Sequence, residues 1–292
     1  MTDFRVGYLY SLSPIHCGGE GDLGNILDIA REVHTHFPYI PGSSLRGSLR
    51  EEVRQLGGKT VCDRLFGQEL GDGETMGVHQ VWFGDSRLLW VPMRTMTRQG
   101  KDIFTWVSCH SLLRDHALIS RQPSVMFPDQ AVGDRAGSYT IADAQIQVGA
   151  LSEAQKKALD LAGQWHENLQ GSVQTTWHKS RIILPDADFQ VLMEHSLWTQ
   201  IRNKIQEDAG GAEVFWTDVC IPRDTIFYYA WGYNLLKENA VTGADHAVLL
   251  DLLQGLLQVG GQANIGRGWL QSWIAQTEAP RNIEKLSTAA EA

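Results

Sequence analysis

The sequence predicts an α+β fold in which helices cover one face of an antiparallel sheet. Three observations predict it: an alternating strand near the N-terminus, an amphipathic helix after a long polar loop, and a Leu-rich helix before the last strand. The elements follow the order strand, helix, paired strands, helix and strand. This order is typical of a ferredoxin-like (RRM-like) sandwich, on which the long loops are insertions.

The composition is that of a globular, acidic protein. Of the 292 residues, 43% are hydrophobic, which is ample for a core, and the formal net charge is −9. This charge argues against a protein that binds nucleic acid with a surface that is basic throughout. It leaves room for one basic groove on an acidic body, because affinity for phosphate depends on the local field.

The N-terminal residues and the cysteines bear on the compartment. The chain start has no basic region followed by an apolar one, and no window approaches the roughly 18 apolar residues of a membrane span. We therefore expect a cytoplasmic protein with no membrane partner. The four cysteines include no CxxC pair, so we expect reduced, structural thiols rather than a zinc ribbon or a disulfide-linked module.

The first predicted strand is the clearest element. Residues 4–12 alternate, which is the period of a half-buried strand, and one face consists of Phe4, Val6, Tyr8, Tyr10 and Leu12. Residues 13–42 are rich in glycine, histidine and charge and are too interrupted for a regular core element. A loop of this length in a compact chain is usually functional or disordered.

A helix is predicted at about 43–56, with Ser43 or Ser44 as its cap. Its apolar stripe consists of Leu45, Leu49, Val53 and Leu56. A basic stripe of Arg46, Arg50 and Arg54 lies beside it, with Arg46 in the first turn, where backbone N–H groups also attract anions. This stripe is either an ordinary solvated face that Glu51 and Glu52 balance, or a phosphate contact.

The middle of the chain predicts strands and helices around one basic run. Residues 78–93 indicate two strands around the turn Gly84-Asp85-Ser86, and a capping box at Ser152 opens a helix over about 152–168. Another helix follows Pro185. Four basic residues and no acid occur from Ser86 to Lys101: Arg87, Arg94, Arg98 and Lys101.

The last third of the chain contains one ambiguous element. The turn signal at 207–212 predicts a hairpin over about 200–221, and a helix running on through Ile201 and Ile205 is the competing prediction. A buried strand at 225–231, a Leu-rich helix at 245–258 and a strand near 269–275 complete the pattern.

The glycines of the segment at 259–269 indicate a backbone that either approaches another group closely or adopts positive φ angles. It contains Gly260, Gly261, Gly266 and Gly268, and it matches neither the GxxxxGK[ST] nor the GxGxxG phosphate-binding template. Two interpretations stay open: a structural turn, or backbone amides and Arg267 that lie against a phosphate chain.

Catalytic motifs are few. His34 and His36 lack a third metal ligand at definable spacing, a structural role is the more frequent one for His16, and neither GxSxG nor HExxH occurs. Metal-assisted phosphodiester cleavage needs a carboxylate near the scissile phosphate. Glu20, Asp22 and Asp28 in the first loop offer one, and otherwise they are solvated loop charges.

Four segments together carry a resemblance to a known family. They are His16 with the glycines after it, REVHTHFPYIPGSSLRGSLR at 31–50, IPRDTIFY at 221–228 and LQVGGQANIGRG at 257–268. In this order and spacing they resemble the RAMP superfamily, and more narrowly the backbone subunit of type III-B CRISPR effector (Cmr) complexes. Residues 80–94 and 103–113 are also similar to that subunit, and the resemblance is weakest between 120 and 185.

The resemblance implies a single RAMP domain over residues 1–292 that stacks as a filament on CRISPR RNA. A ferredoxin-like palm would occupy about 1–198 and 222–280, a β-hairpin thumb about 199–221, and a flexible tail about 281–292. The thumb would be inserted beside the duplex of guide and target RNA and interrupt a base pair at regular intervals. This favours the hairpin over the helix. Copies of the chain itself and other Cmr-type subunits are the implied protein partners.

The resemblance also implies the RNA-binding residues. Carried over onto this chain, they are His16, Ser43, Ser44, Arg46, Gly47, Arg50, Gly260, Gly261, Gly266 and Gly268, and our own interpretation of the glycine segment adds Arg267.

In that family the backbone subunit cuts target RNA with a divalent metal, Mg²⁺ or Mn²⁺, using an aspartate in the first loop. The family pattern D-x-P-x-x-R-E/D would place that aspartate at Ile26, whereas here Asp28 is closest before Arg31 and no proline intervenes. Asp28 is therefore our candidate for both the catalytic and the metal-binding carboxylate of an endoribonuclease. Two alternatives stay open: a non-cutting structural subunit, and a metal-independent endonuclease that processes CRISPR RNA with His16, His34 or His36 as general acid or base.

Overall fold

The structure is a computed structural model that describes residues 4–18, 26–68, 79–97, 104–122, 129–159, 169, 173, 177, 181–205, 212–234 and 242–275. Predictions for Glu20, Asp22, Arg98, Lys101, the helix part at 160–168 and the tail at 281–292 lie outside these residues.

The described residues form fifteen strands and five helices with defined bounds. The strands are β1 (Arg5–Ser11), β2 (Ile26–Leu27), β3 (Tyr39–Ile40), β4 (Val81–Phe83), β5 (Ser86–Thr97), β6 (Phe104–Cys109), β7 (Val132–Gly133), β8 (Gly137–Ile141), β9 (Ala144–Ala150), β10 (Arg181–Leu184), β11 (Trp198–Ile205), β12 (Ala212–Cys220), β13 (Ile226–Tyr233), β14 (Leu256–Gln258) and β15 (Trp269–Ile274). The helices are α1 (Gly42–Phe66), α2 (His110–Ser120), α3 (Glu153–Leu159), α4 (Asp186–Ser196) and α5 (Gly243–Leu252).

None of the helices in this described part is long and apolar enough to cross a membrane. All four cysteines are buried, and none of them forms a disulfide.

The chain has a mixed α/β fold, built on one large sheet. Twelve strands follow the order β14-β15-β1-β13-β5-β6-β10-β7-β9-β8, with β3 on β5 and β4 on β13. Strand β8 pairs back onto β5, so the strands from β5 to β8 along this path form a closed ring. A separate three-stranded sheet has the order β11-β12-β2.

Strand β1 confirms the first predicted strand, but it is buried on both faces. Leu9 belongs to the hydrophobic cluster that includes residues of α1 and α5, and Tyr8 belongs to a second cluster with Leu113 of α2. Leu12, predicted on the apolar face, is 43% exposed. Helices thus cover both faces of the sheet, and the prediction of a half-buried strand under helices on one face is wrong.

Helix α1 begins as predicted and ends later. Leu45, Leu49 and Val53 are fully buried, whereas Leu56 is 66% exposed because it lies just before the break at Gly58 (φ 79°, ψ 171°). A second helical segment then continues to Phe66. The prediction of a serine cap is wrong, because the Gly42 N–H donates to Asp85 Oδ1 at 2.8 Å from another loop.

The two strands predicted at 78–93 exist but do not pair with each other. Strand β4 pairs with the end of β13 (Trp231↔Phe83), and β5 pairs with its beginning (Ile226↔Trp90). The two therefore lie end to end along β13.

The remaining helices follow their sequence signals. The predicted capping box is present before α3, where the Gln155 N–H donates to Ser152 Oγ at 3.2 Å. The predicted helix after Pro185 is α4, in which Phe189, Leu192 and Met193 are buried. Helix α5 ends at Leu252, so the prediction to residue 258 is too long. The chain turns at Gly255 and forms edge strand β14 instead.

The segment at 200–221 is a hairpin, as the turn signal predicts. Strands β11 and β12 pair antiparallel from Trp198↔Cys220 to Ile205↔Ala212. Strand β2 adds to β12 in parallel, with Thr217↔Ile26 and Asp218↔Leu27, which fixes the first loop to the hairpin.

A buried histidine joins α2 to the sheet. His116 is 6% exposed, its Nε2 lies 2.9 Å from the Tyr8 hydroxyl, and its ring packs edge-on against Tyr228. Burial lowers the pKa of His116 from 6.5 to about 4.

We expect this histidine to make the protein less stable as pH falls from about 6.5 towards 4, because the unfolded chain takes up a proton there that the native state excludes. The contribution to the free energy of unfolding changes by at most about 1.4 kcal/mol per pH unit in this window. Urea unfolding at pH 7 and pH 5 measures it, with His116→Asn as the comparison. Equal pH dependence in both proteins would contradict the prediction.

Candidate nucleic-acid interface

The glycine loop at 259–268 is built onto the chain that follows β1. The Gly261 N–H donates to the His16 carbonyl at 2.7 Å, and the Gly268 N–H donates to that of Pro14 at 3.0 Å. A Cβ at Gly260 (φ 92°) would lie 2.5 Å from the His16 carbonyl oxygen, and one at Gly268 (φ 84°) would lie 2.2 Å from that of Val259. These two glycines are required by close backbone packing, whereas Gly261 and Gly266 lie at the exposed tip.

His16 attaches the same chain segment to the hairpin. Its Nδ1 lies 2.8 Å from the Val219 carbonyl oxygen of β12, and the residue is 8% exposed. The imidazole therefore holds the glycine loop and the hairpin root together, and little of it faces solvent.

Arg267 has a different task from the predicted phosphate contact. It is 3% exposed, and its guanidinium lies over the Trp198 ring with 4.9 Å between the guanidinium carbon and the ring centroid. Its Nη1 donates to Asp218 Oδ2 at 2.9 Å and to Gln262, and its Nη2 donates to Gln200 Oε1 at 2.7 Å. The side chain thus binds the hairpin root to the glycine loop.

Asp218 is the centre of this contact. It is fully buried and also accepts from Arg202 Nη1 at 3.3 Å, while its Oδ1 has no hydrogen bond within the described part of the chain. Removing a cationic partner of a buried carboxylate leaves an uncompensated charge, which strongly destabilises the fold.

The two faces of the hairpin differ. One face carries Trp198, Arg202 and Trp216, with the Arg202 guanidinium carbon 5.4 Å from the centroid of a Trp216 ring. The other face carries Ile201 and Phe215, which are 74% and 53% exposed. Ile201 and Phe215 thus form an apolar wedge in solvent on a face that also carries Thr199, Asn203 and Thr217.

The start of α1 adjoins the glycine loop through Cys17. Burial raises the pKa of the Cys17 thiol to about 12, although a hydrogen bond with Ser44 lowers it. A Cβ at Gly260 would lie 2.9 Å from the Cys17 Sγ. Ser43 and Gly47 are exposed at the same helix start. The structure therefore brings together the predicted RNA-binding residues of the first segment, the helix start and the glycine loop.

The second helical segment of α1 folds back at Gly58, so that its end meets Arg46 and Arg50 of the first segment. Arg46 Nη2 donates to the Phe66 carbonyl at 2.5 Å, and Arg50 Nη2 donates to that of Gly67 at 3.0 Å. The Arg46 guanidinium carbon also lies 5.6 Å from the Phe66 ring centroid. Partial burial lowers the pKa of Arg46, and the nearby Arg50 charge acts in the same direction.

The basic run from Ser86 is not a free basic surface where the structure describes it. Arg87 donates to Glu32 Oε1 and to Asp115 Oδ2, each at 2.7 Å. Arg94 pairs with Asp143. The run is acid-free in sequence, but its described residues Arg87 and Arg94 are neutralised in space by acidic residues from elsewhere in the chain.

Asp28 directly follows β2, beside the His16 segment. Its Oδ1 accepts from the Ile29 N–H at 2.8 Å, and its two carboxylate oxygens lie 3.3 Å from Nη2 and Nε of Arg31. Ile29 forms a bridge with Gly18, and the Ala30 N–H donates to the Cys17 carbonyl at 2.8 Å. This side chain is 29% exposed, and the residues that follow it are held against the segment at 16–18.

These residues do not form a complete metal site by themselves. Within the described ranges, no three His, Cys, Asp or Glu side chains are grouped to hold an ion. One carboxylate fits Mg²⁺ only where substrate phosphates and water supply the other ligands. Of the three histidines proposed as an alternative general acid or base, His34 and His36 are exposed at the turn of the same loop, whereas His16 is buried.

Sequence reasoning missed several residues of this region. Gln200, Asp218 and Gln262 surround Arg267, and Glu194 of α4 contacts Arg31. The strand alternation of the hairpin predicts that Gln200 and Asp218 share a face, but nothing local shows which chain segment covers that face.

Comparison with known proteins gives consistent matches over nearly the whole chain. The model of the RAMP superfamily matches residues 8–271. The CRISPR system Cmr endoribonuclease Cmr4 of Pyrococcus furiosus is 27% identical over 292 residues, which cover 93% of this chain and 95% of that protein.

Solved structures show the same fold. A chain of type III-B Cmr-beta bound to cognate target RNA superposes with a TM-score of 0.74 at 16% identity, covering 94% of this chain and 97% of its own. Oligomeric Cmr4 from Pyrococcus furiosus superposes with a TM-score of 0.68 at 20% identity, covering 95% of this chain and 100% of its own.

Proposed function

The chain belongs to the RAMP superfamily, and we propose that it is the CRISPR RNA-binding backbone subunit of a type III-B effector complex. The continuous surface formed by the His16 segment, the start of α1, the glycine loop and the hairpin is the observation that carries this proposal. The matched relatives support it, since one is named a Cmr endoribonuclease, one is part of a complex bound to target RNA, and one is oligomeric. Its partners are then CRISPR RNA, target RNA, copies of itself and other Cmr-type subunits, in the cytoplasm.

The palm and the thumb of this proposal correspond to parts of the fold. A ferredoxin-like palm is supported by the order of elements along the chain, which is β1, α1, β5, β13, α5 and β15. It is also supported by the antiparallel pairing of the four strands in the order β15, β1, β13 and β5. The hairpin β11–β12 is the thumb, and its exposed wedge of Ile201 and Phe215 suits insertion beside stacked bases.

The guide contacts divide into two kinds. Ser43, Gly47, Gly261 and Gly266 are exposed and bring hydroxyl and backbone groups to a phosphate chain. His16, Gly260 and Gly268 maintain the backbone shape behind them. Arg267 leaves the list of phosphate ligands, because its guanidinium is committed to the hairpin.

We propose that the subunit also cuts target RNA, with Asp28 as the active carboxylate. The Ile29 N–H and Arg31 orient this carboxylate beside the root of the hairpin, where the target strand would be splayed. A divalent cation that arrives with the RNA would stabilise negative charge at the phosphate. The ribose 2′-hydroxyl would give its proton to Asp28 and attack the adjacent phosphorus, while the P–O bond to the next 5′-oxygen breaks and that oxygen takes a proton from water. The products are a 2′,3′-cyclic phosphate and a 5′-hydroxyl, so RNA is cut and DNA is not.

The test uses the assembled complex loaded with its guide. Complementary RNA is supplied with Mg²⁺, with Mn²⁺ and with EDTA, and the products are sized. Evenly spaced products that need the cation support the proposal. Binding without cutting identifies a structural subunit, and cutting by the isolated chain in EDTA identifies a metal-independent processing enzyme.

We expect Arg46→Gln to weaken guide binding and to reduce the slope of log affinity against log salt by roughly 0.7, the value for one phosphate contact on a single strand. The Arg46 guanidinium has N–H donors besides the one that binds the Phe66 carbonyl, so it can bind a phosphate while it stays stacked on the Phe66 ring. Filter binding at several salt concentrations measures the slope, with exposed Arg223→Gln as control. Identical slopes for Arg46→Gln and the native protein would remove Arg46 from the guide contacts.

A further inference from the structure

A shared arginine connects the proposed catalytic loop to the helix that leads into the hairpin. Arg31 Nη1 donates to Glu194 Oε1 at 2.6 Å, whereas its contacts with the Asp28 carboxylate are both 3.3 Å long. Charge-assisted N–H···O bonds are usually 2.7–2.9 Å. The guanidinium is therefore held tightly by Glu194 and only loosely by Asp28.

The loop is linked to both strands of the hairpin, directly to β12 and through the preceding helix α4 to β11. Glu194 lies in the last turn of α4, and β11 begins two residues after α4 ends. Strand β2, which directly precedes Asp28, pairs with β12. Asp28 is thus fixed through its backbone to one strand and through Arg31 to the helix before the other.

We infer that Glu194 is a positioning residue for Asp28, which rests on the proposed cleavage activity. By binding the outer edge of Arg31, Glu194 keeps the guanidinium from closing onto Asp28 as a tight pair. The Asp28 carboxylate then stays oriented by Arg31 and the Ile29 N–H while its lone pairs remain available to the scissile site.

The neighbouring ion pairs do not share this role. Arg87 holds Glu32 to Asp115 of α2, on the other side of the loop, and it does not contact Asp28. Glu194 is the carboxylate that, among the described residues, competes with Asp28 for the same guanidinium.

The test compares Glu194→Gln with Glu153→Gln in the assembled complex. The control removes an exposed glutamate that pairs with Lys156 on α3. We expect Glu194→Gln to lower the single-turnover rate of target cleavage about tenfold, since small misplacements of a catalytic group cost that much or more. Target affinity and product spacing stay unchanged, and Glu194→Asp recovers part of the rate.

A second readout does not depend on cleavage. Hydrogen exchange of the full-length subunit reports on residues 26–31, where the Ile29 N–H is bonded to Asp28. We expect faster exchange there in Glu194→Gln than in Glu153→Gln, because Arg31, once released by Glu194, closes onto Asp28 and draws its carboxylate away from the Ile29 N–H. Exchange and rate equal to those of the control would overturn the inference. If instead Asp28→Ala cuts normally while exchange still changes, the proposed activity fails and the positioning of Asp28 by Glu194 stands.

Discussion

Asp28→Ala is expected to reduce cleavage of complementary RNA by the assembled complex by at least about a hundredfold while guide binding stays intact. A positioned acid or base contributes about 10²- to 10⁴-fold to such a step. In the described part of the first loop, Asp28 is the carboxylate that contacts Arg31, so no neighbour there replaces it. The side chain lies on a loop that β2 and the Ile29–Gly18 bridge hold, so its loss leaves the backbone in place.

The measurement is the rate of product formation under single turnover, with guide and target affinities determined separately. Asp188→Ala is a matched control, because Asp188 is an exposed aspartate in the first turn of α4. Unchanged products from Asp28→Ala would show that the carboxylate has no part in cleavage. Lost guide binding would show that it has a structural role instead.

Arg267→Met is expected to lower the free energy of unfolding by about 3 kcal/mol, because it leaves the buried Asp218 carboxylate without its closest cationic partner. Methionine keeps most of the aliphatic volume over Trp198, so the loss reports on charge rather than on packing. Arg202, at 3.3 Å and 34% exposed, compensates only in part.

Urea unfolding of the subunit measures this loss. Arg223→Met is the control, since Arg223 is 73% exposed and pairs only with its neighbour Asp224 in the described contacts, an arrangement worth at most about 1 kcal/mol. If Arg267→Met kept its stability but lost guide affinity, Arg267 would be a phosphate ligand after all.

The sequence signals for single elements were sufficient where local chemistry decides them. Three such signals each depend on the residues of one element: the alternation of 4–12, the apolar stripe of α1 and the capping box before α3. Signals failed where a distant segment decides. The Gly42 N–H is capped by Asp85, Leu9 is covered by helices from elsewhere in the chain, and β4 and β5 share β13 instead of pairing.

The same distinction applies to the candidate site. Gly260 and Gly268 were identified because close backbone approach demands glycine, whatever the partner. The partners of Arg267 and Arg87 were not predictable, because Asp218 and Asp115 come from distant parts of the chain and a sequence shows charge but not what neutralises it. A basic run is therefore weak support for a phosphate contact until its neighbours in space are known.

Strand β1 has a consequence for how the chain reaches its native state. Its neighbours on both edges, β13 and β15, lie in the last quarter of the sequence, with Arg5 paired to Trp231 and Gly7 to Ile274. Contacts of such high contact order form slowly, and during synthesis the first strand emerges long before either partner exists. Its Tyr8, Leu9 and Tyr10 therefore stay unshielded in the nascent chain until β13 and β15 have been synthesised.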